Sequence, residues 1–127
     1  MPRTWLSFTP NSIPVVSVHI AGQRYQAMVD SGAAFSQISP ALSIRLGLPQ
    51  KGLQPVISIH GDIQNKSVVD LPVIGVAEHE LPSCKATVGN LNALRLGIDL
   101  ILGVNAFKNR QIHIDFKEGR VYVFSER

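Results

Sequence analysis

The fifteen residues from Val15 to Val29 spell out one β-hairpin, and they restrict the chain to a small set of architectures. In VVSVHI, Val16, Val18 and Ile20 occupy every second position. Ala21-Gly22 is a two-residue turn, and Arg24 to Val29 returns as a second strand. Strands joined by two residues must be antiparallel neighbours, and the alternation buries one face. The same grammar recurs downstream. VISIHGDIQNKSVVDLPVIGV reads as two strands joined through His60-Gly61-Asp62-Ile63-Gln64, and LPVIGVAEHELPSCKATVG as a hairpin turning at Glu78-His79-Glu80. RLGIDLIL is a branched apolar strand that ends at Gly103. QIHIDF and RVYVF form a last hairpin over Lys117-Glu118-Gly119, with Gly119 in the left-handed position. Helix signals are few. Ser39-Pro40 supplies an N-cap and a first-turn proline, Leu42 and Leu46 share a face, and Gly47 is a stop; VNAFKNR adds a helical turn or two. About seven to nine short strands, two short helices and no βαβ alternation define an all-β, mainly antiparallel fold.

With 127 residues, 45% of them hydrophobic, the chain can bury one core but not two lobes. Residues 1–127 are therefore expected to form a single domain. No apolar run is long enough to cross a bilayer, so no membrane segment is expected in this chain. MPRTWLSFTPNSIP lacks the apolar core of a secretory signal, and Cys84 is the only cysteine. Both features fit a reducing compartment, with the cytoplasm as the expected location. The net charge is +3, but the twelve Lys and Arg are scattered rather than striped, and no nucleic-acid partner is expected. His19, His60, His79 and His113 have no metal-ligand spacing, so neither metal nor cofactor is expected.

The chemistry centres on AMVDSGAAFSQIS, Ala27 to Ser39. A carboxylate at the end of an apolar strand costs desolvation energy unless something stabilises it. Ser31 can hydrogen-bond, Gly32 lets backbone approach closely, and Ala33 and Ala34 leave space beside the acid. The pattern puts the Asp30 carboxylate at the floor of a cavity, cradled by backbone. Hairpin, apolar strand, Gly-containing loop and helix recur in the same order around IDLILGVNAFKNR, an echo of architecture without sequence identity.

Asp30-Ser31-Gly32-Ala33, after Ala27-Met28-Val29, resembles the Asp-Thr/Ser-Gly-Ala signature of retropepsin-like aspartic proteases. Ile101-Leu102-Gly103, with Asn105 two further on, resembles that family's second motif. The segment from Ile98 to Phe124 is similar to the protease domain of the DNA-damage-inducible shuttle proteins. The likeness spans roughly Ile13 to Phe124. Asp followed by Ser or Thr and then Gly arises by chance in about one chain in twenty of this length, but the paired motifs make coincidence a poor account.

The resemblance implies a retropepsin-like acid-protease closed barrel with one or two short helices, acting as an aspartic endopeptidase on peptide or protein substrates. The signature occurs once, and the mechanism needs two carboxylates sharing a proton, so the active form implied is a homodimer. Asp30, Ser31 and Gly32 are the implied catalytic residues, with the Ser31 hydroxyl tying the two loops across the axis. Ile59 to Gln64 would be the tip of a flap, and the peptide would bind extended by β-augmentation. Ala33, Ala34, His60, Gly61, Asp62, Ile63 and Ile101 are the implied substrate-binding residues.

Two departures stand out. Retroviral enzymes carry an acidic residue after the signature alanine and an arginine after the second-motif glycine, and the two pair. Ala34 and Val104 stand there instead, an apolar substitute for an ion pair. The flap tip has one glycine, Gly61, where retroviral flaps have several, and the alternative function is an inactive dimerisation or peptide-binding module. Asp62, Asp99 and Asp115 read as turn or solvent-face acids, with Asp99 a candidate neighbour of a subsite. Trp5, Phe8, Tyr122 and Phe124 read either as core or as an inter-subunit sheet.

Overall fold

The computed structural model describes residues 4–57 and 60–124. The described residues form twelve strands: β1 (Thr4–Ser7), β2 (Val15–Ile20), β3 (Gln23–Val29), β4 (Ser36–Ile38), β5 (Gly52–Ile57), β6 (Ile63–Asp70), β7 (Ile74–Val76), β8 (His79–Leu81), β9 (Lys85–Val88), β10 (Leu100–Leu102), β11 (Ile112–Asp115) and β12 (Arg120–Val123). They form a nine-stranded sheet of order β5-β6-β9-β4-β10-β3-β2-β7-β8 and a three-stranded sheet of order β1-β12-β11. All pairings are antiparallel except β3 with β10 and β4 with β9. The fold is all-β, as expected, but the larger sheet does not close into a barrel. Its ends are β5, nearly all of whose residues are exposed, and the three-residue β8. A strand that projects into water cannot return to pair with the far edge.

The β2–β3 hairpin matches its sequence pattern. Val16 pairs with Ala27 and Val18 with Tyr25, all buried, across a turn in which Ala21 and Gly22 have φ of 51° and 81°. Two positive φ values in succession are those of the hairpin turn whose twist suits the flanking strands. Helix α1 (Pro40–Arg45) starts where Ser39 accepts a hydrogen bond from the Leu42 N–H at 3.2 Å. It stops where the Gly47 N–H reaches Ile44 O (2.9 Å) and the Leu48 N–H reaches Ser43 O (3.1 Å). That pair of bonds is a Schellman closure around left-handed Gly47.

Two further expectations need correction, the extent of RLGIDLIL and the β7–β8 turn. RLGIDLIL is not one long strand. Asn92–Leu94 is a 3-10 turn, and Arg95 and Gly97, at φ 54° and 64°, break extension until Leu100. VNAFKNR forms the expected helical turn as a 3-10 helix, Val104–Phe107, and α1 is the one α-helix among the described residues. The β7–β8 hairpin turns at Ala77-Glu78, with Ala77 at φ 54°, and His79 already belongs to β8. Finally, Thr4–Ser7 is a strand, paired with β12 from Thr4–Val123 to Ser7–Arg120. Four residues are too short a run to show a period.

Two apolar clusters lie on opposite faces around β3 and β10. Ala27, Val29, Leu100 and Leu102 point into the main core, which also takes Phe8, Val121 and Val123 from the terminal segments. Met28 and Ile101 point the other way and pack with Val15, Ala33, Leu91, Leu96 and Ile98. Of the terminal aromatics, Phe8 is core, whereas Trp5 stacks on Tyr122 within the chain's own small sheet at 5.9 Å between centroids. Each fully buried Leu or Val contributes about 1.5–3 kcal/mol, so β10 is anchored from both sides and holds the Gly103 segment in place.

Candidate active site

Asp30 sits where three pieces of chain meet. Strand β3 delivers it, and β10 runs parallel beside β3, with Leu100 level with Ala27 and Leu102 level with Val29. The Asp30 N–H donates to Leu102 O at 3.0 Å, which joins the end of one strand to the end of the other. On the other side β10 pairs antiparallel with β4, so β10 lies between the two strands that flank the Asp30 loop. The architectural echo therefore has a spatial meaning: its two apolar strands are parallel neighbours.

The loop is organised by its own carboxylate. Asp30 Oδ1 accepts the Gly32 N–H at 2.9 Å, and the Ala33 N–H donates to Asp30 O at 3.2 Å. A side chain at residue 32 would place its Cβ 3.3 Å from that same Oδ1. Asp30 is half-buried, while Ser31, Gly32 and Ala34 are exposed. The backbone cradle expected from the sequence is present, and the half-buried carboxylate stands on a shelf of small residues.

Behind the shelf is a polar knot that sequence reasoning missed. Ser36 is fully buried. Its hydroxyl donates to Asn105 Oδ1 at 2.7 Å and accepts the Gly103 N–H at 3.0 Å, while its N–H also donates to Asn105 Oδ1 at 2.9 Å. Asn105 Nδ2 donates to Lys85 O at 2.6 Å. The Val104 N–H reaches Ala33 O at 2.7 Å and the Asn105 N–H reaches Ala34 O at 3.3 Å. These bonds clamp the segment after Asp30 to the segment after β10. The signal was available: Ser36 shares the inward face of β4 with Ile38, and a polar residue there needs a partner. Ser36→Ala would leave the buried Gly103 N–H without its acceptor and is expected to cost about 2 kcal/mol. Asn105→Ala would orphan three groups at once and cost more. Urea unfolding of both variants checks this order, and an Asn105→Ala variant as stable as the parent would contradict it.

Cys84 touches this knot. Burial pushes its thiol up from the ordinary range, opposed by a hydrogen bond with Ser36, so the thiolate is scarce at neutral pH. A cleft of about 440 Å³ lined by Phe35, Cys84, Lys85, Asn105 and Lys108 lies on the Asn105 side, and Asp30 is not in its wall.

The other expected site residues divide. Ala33 and Ile101 lie beside Asp30 and pack in one cluster. His60, Gly61, Asp62 and Ile63 form the exposed turn of the β5–β6 hairpin, with Gly61 at φ 85° and Ile63 70% exposed. Ile59, the first residue of that tip, lies outside the described residues. In the large sheet the hairpin is separated from β4 by β9. Asp99 stands at the opposite end of β10 from Gly103, where its Oδ2 accepts the Gln26 N–H at 3.2 Å, and it is not beside Asp30. Asp115 is a turn acid, capping the Glu118 N–H at 3.0 Å. His79 differs from a simple surface histidine, since its Nε2 is buried without a hydrogen-bond partner. Among the described residues no three His, Cys, Asp or Glu side chains gather to hold a metal ion, and no helix is long and apolar enough to cross a membrane.

Comparison with known proteins gives a consistent picture. The model of the family described as "gag-polyprotein putative aspartyl protease" matches residues 16–109. The structure is similar to the crystal structure of a retropepsin-like aspartic protease from Rickettsia conorii, with a TM-score of 0.71 and 16% sequence identity. The match covers 96% of this chain and 89% of that one. No curated protein matches the sequence.

Proposed function

The chain belongs to the gag-polyprotein aspartyl protease family, and on that premise we propose that it is a homodimeric aspartic endopeptidase cleaving extended peptides at apolar sites. One observation carries the reading: the half-buried Asp30 carboxylate stands among the small, exposed Ser31, Gly32 and Ala34 in a loop whose own backbone already holds it. It is half of a two-carboxylate centre, and a second copy of the chain supplies the other half.

In that dimer the two carboxylates lie about 3 Å apart, cannot both ionise, and so share one proton. The ionised Asp30 takes a proton from a water between them as the water oxygen attacks the peptide carbonyl carbon. The protonated Asp30 gives its proton to the carbonyl oxygen, forming a neutral tetrahedral diol. Collapse returns a proton to the amide nitrogen and breaks the C–N bond, releasing an amine and a carboxylic acid. The Ser31 hydroxyl braces the two loops across the axis, and Gly32 leaves the reacting oxygens accessible. Ala33, Ala34, Ile101 and Ile63 line apolar subsites, and the tip residues His60, Gly61 and Asp62 close over the peptide backbone.

A second reading rests on Gly61 being the tip's only glycine: a non-catalytic module that dimerises or holds peptides. The test tracks hydrolysis of an apolar peptide library as the protein is diluted, alongside titration with a statine-type mimic of the tetrahedral diol. The endopeptidase reading expects specific activity to fall on dilution and one mimic to block two chains. Full activity at concentrations where only monomer sediments would overturn it, and mimic binding without turnover would favour the module.

A further inference from the structure

We infer that the uncharged, exposed collar around Asp30, formed by Ile13, Ala34 and Val104, is the surface on which a second copy of this chain docks. The dimer is then held beside its reacting centre by apolar contact rather than by ion pairs. The inference rests on the dimeric reading above and adds to it which residues make the dimer and by what force.

Three stretches remote in sequence converge on Asp30. Pro14 O accepts the Val29 N–H at 2.9 Å, which brings Ile13 alongside the end of β3. The Asp30 N–H is taken by Leu102 O, and the Val104 N–H by Ala33 O, which brings Val104 to the other flank. About one residue in five of this chain is Lys, Arg, Asp, Glu or His, yet residues 11–16, 31–35 and 103–107 contain none. Within this convergence Ile13 is 49% exposed and Val104 55% exposed, and Ala34 is exposed between them. A single exposed apolar side chain is ordinary. Three brought together from separate segments, around the one carboxylate that the mechanism places on an axis, form a patch with a geometric consequence.

Symmetry supplies the occupant. A twofold axis that brings two Asp30 side chains together makes the flanks of one loop face the flanks of the other, because a twofold interface uses the same patch on both copies. The collar is therefore buried whenever the acid pair assembles, and it is complementary to itself: apolar against apolar. A fixed charge in the collar would be desolvated on docking and would bias the shared proton. Ile13, Ala34 and Val104 bring no such charge. Ile44 is a contrast. It is 80% exposed on α1, next to Arg45, and has no such convergence around it.

The test measures dimer dissociation of the full chain by sedimentation equilibrium, with circular dichroism as a check of folding. Val104→Asp and Ile13→Asp are each expected to weaken the dimer at least about tenfold, and Ile44→Asp to leave it unchanged. For the unsubstituted chain, raising NaCl from about 0.05 M to about 1 M is expected to leave the dimer as tight or tighter. Salt screens ion pairs and the repulsion between the two acids, but it does not weaken apolar contact. A parent dimer that dissociates in high salt would overturn the inference, as would one whose affinity survives both collar substitutions, and the dimeric protease reading would stand in either case. A parent chain that is monomeric at every concentration would instead sink that reading itself.

Discussion

Asp30→Asn is expected to lower kcat/KM on an apolar peptide by at least about 10⁴-fold while the chain stays folded and dimeric. The two halves of that statement have separate causes. Asparagine has the shape of aspartate and keeps a carbonyl oxygen where Oδ1 accepts the Gly32 N–H, so the loop retains its internal bond. The bond from the Asp30 N–H to Leu102 O involves backbone alone and is untouched. What disappears is the ability to accept or deliver a proton at neutral or acidic pH. In the proposed homodimer one sequence supplies both halves of the pair, so a single substitution would remove the base and the acid together. Each is typically worth about 10² to 10⁴, and the losses do not simply add. Gel filtration with steady-state assays reads both halves. More than about 1% of the parent kcat/KM in the variant would mean that Asp30 is not the reacting acid.

Whatever is periodic or covalently local was readable in the sequence. The β2–β3 hairpin, the Ser39 cap, the Gly47 stop and the last hairpin each express a preference that neighbouring residues enforce on one another. The Asp30 loop was readable for the same reason, since its main bond joins residues two apart. The failures share a different cause. Leu94 to Leu102 has the composition of a strand, but Leu96 and Ile98 satisfy their apolar character by packing against Met28 and Ile101 while Arg95 and Gly97 turn the backbone. Burial was right there and backbone conformation was wrong. The open sheet was missed because closure depends on what the distant β5 and β8 do. The Ser36–Asn105 bond links residues 69 apart and could be inferred only as a need for some partner, not as that partner.

Gly103→Ala is expected to damage stability and activity together, and the reason is space rather than backbone freedom. Gly103 has φ −92° and ψ −170°, a conformation any residue adopts. A Cβ there, however, would collide with Ala33 O and lie 2.9 Å from Phe35 O and 3.0 Å from Phe35 C. All are backbone atoms of the segment that leaves Asp30, so no side chain can swing away to make room. That segment is held in turn by the Val104 N–H on Ala33 O and by Ser36 on the Gly103 N–H. One of these must stretch. Overpacking of this kind costs about 1–3 kcal/mol, and a backbone clash belongs at the upper end, about 10 °C in Tm for a chain of this size. A displacement of the Asp30 loop on the order of 1 Å costs a further factor of about 10² in turnover. Gly119→Ala is the comparison that separates the two effects. Gly119 has φ 69°, and its Cβ would strike Phe8 O and approach Pro10 N at 3.0 Å, so this variant too should lose stability. Its turn joins β11 to β12, away from the Asp30 loop. Assayed well below both melting points and expressed per folded dimer, the Gly119 variant should cleave like the parent while the Gly103 variant does not. Equal turnover in the two would show that Gly103 serves the fold alone, and that the clamp between the two motifs has no part in holding the reacting acid.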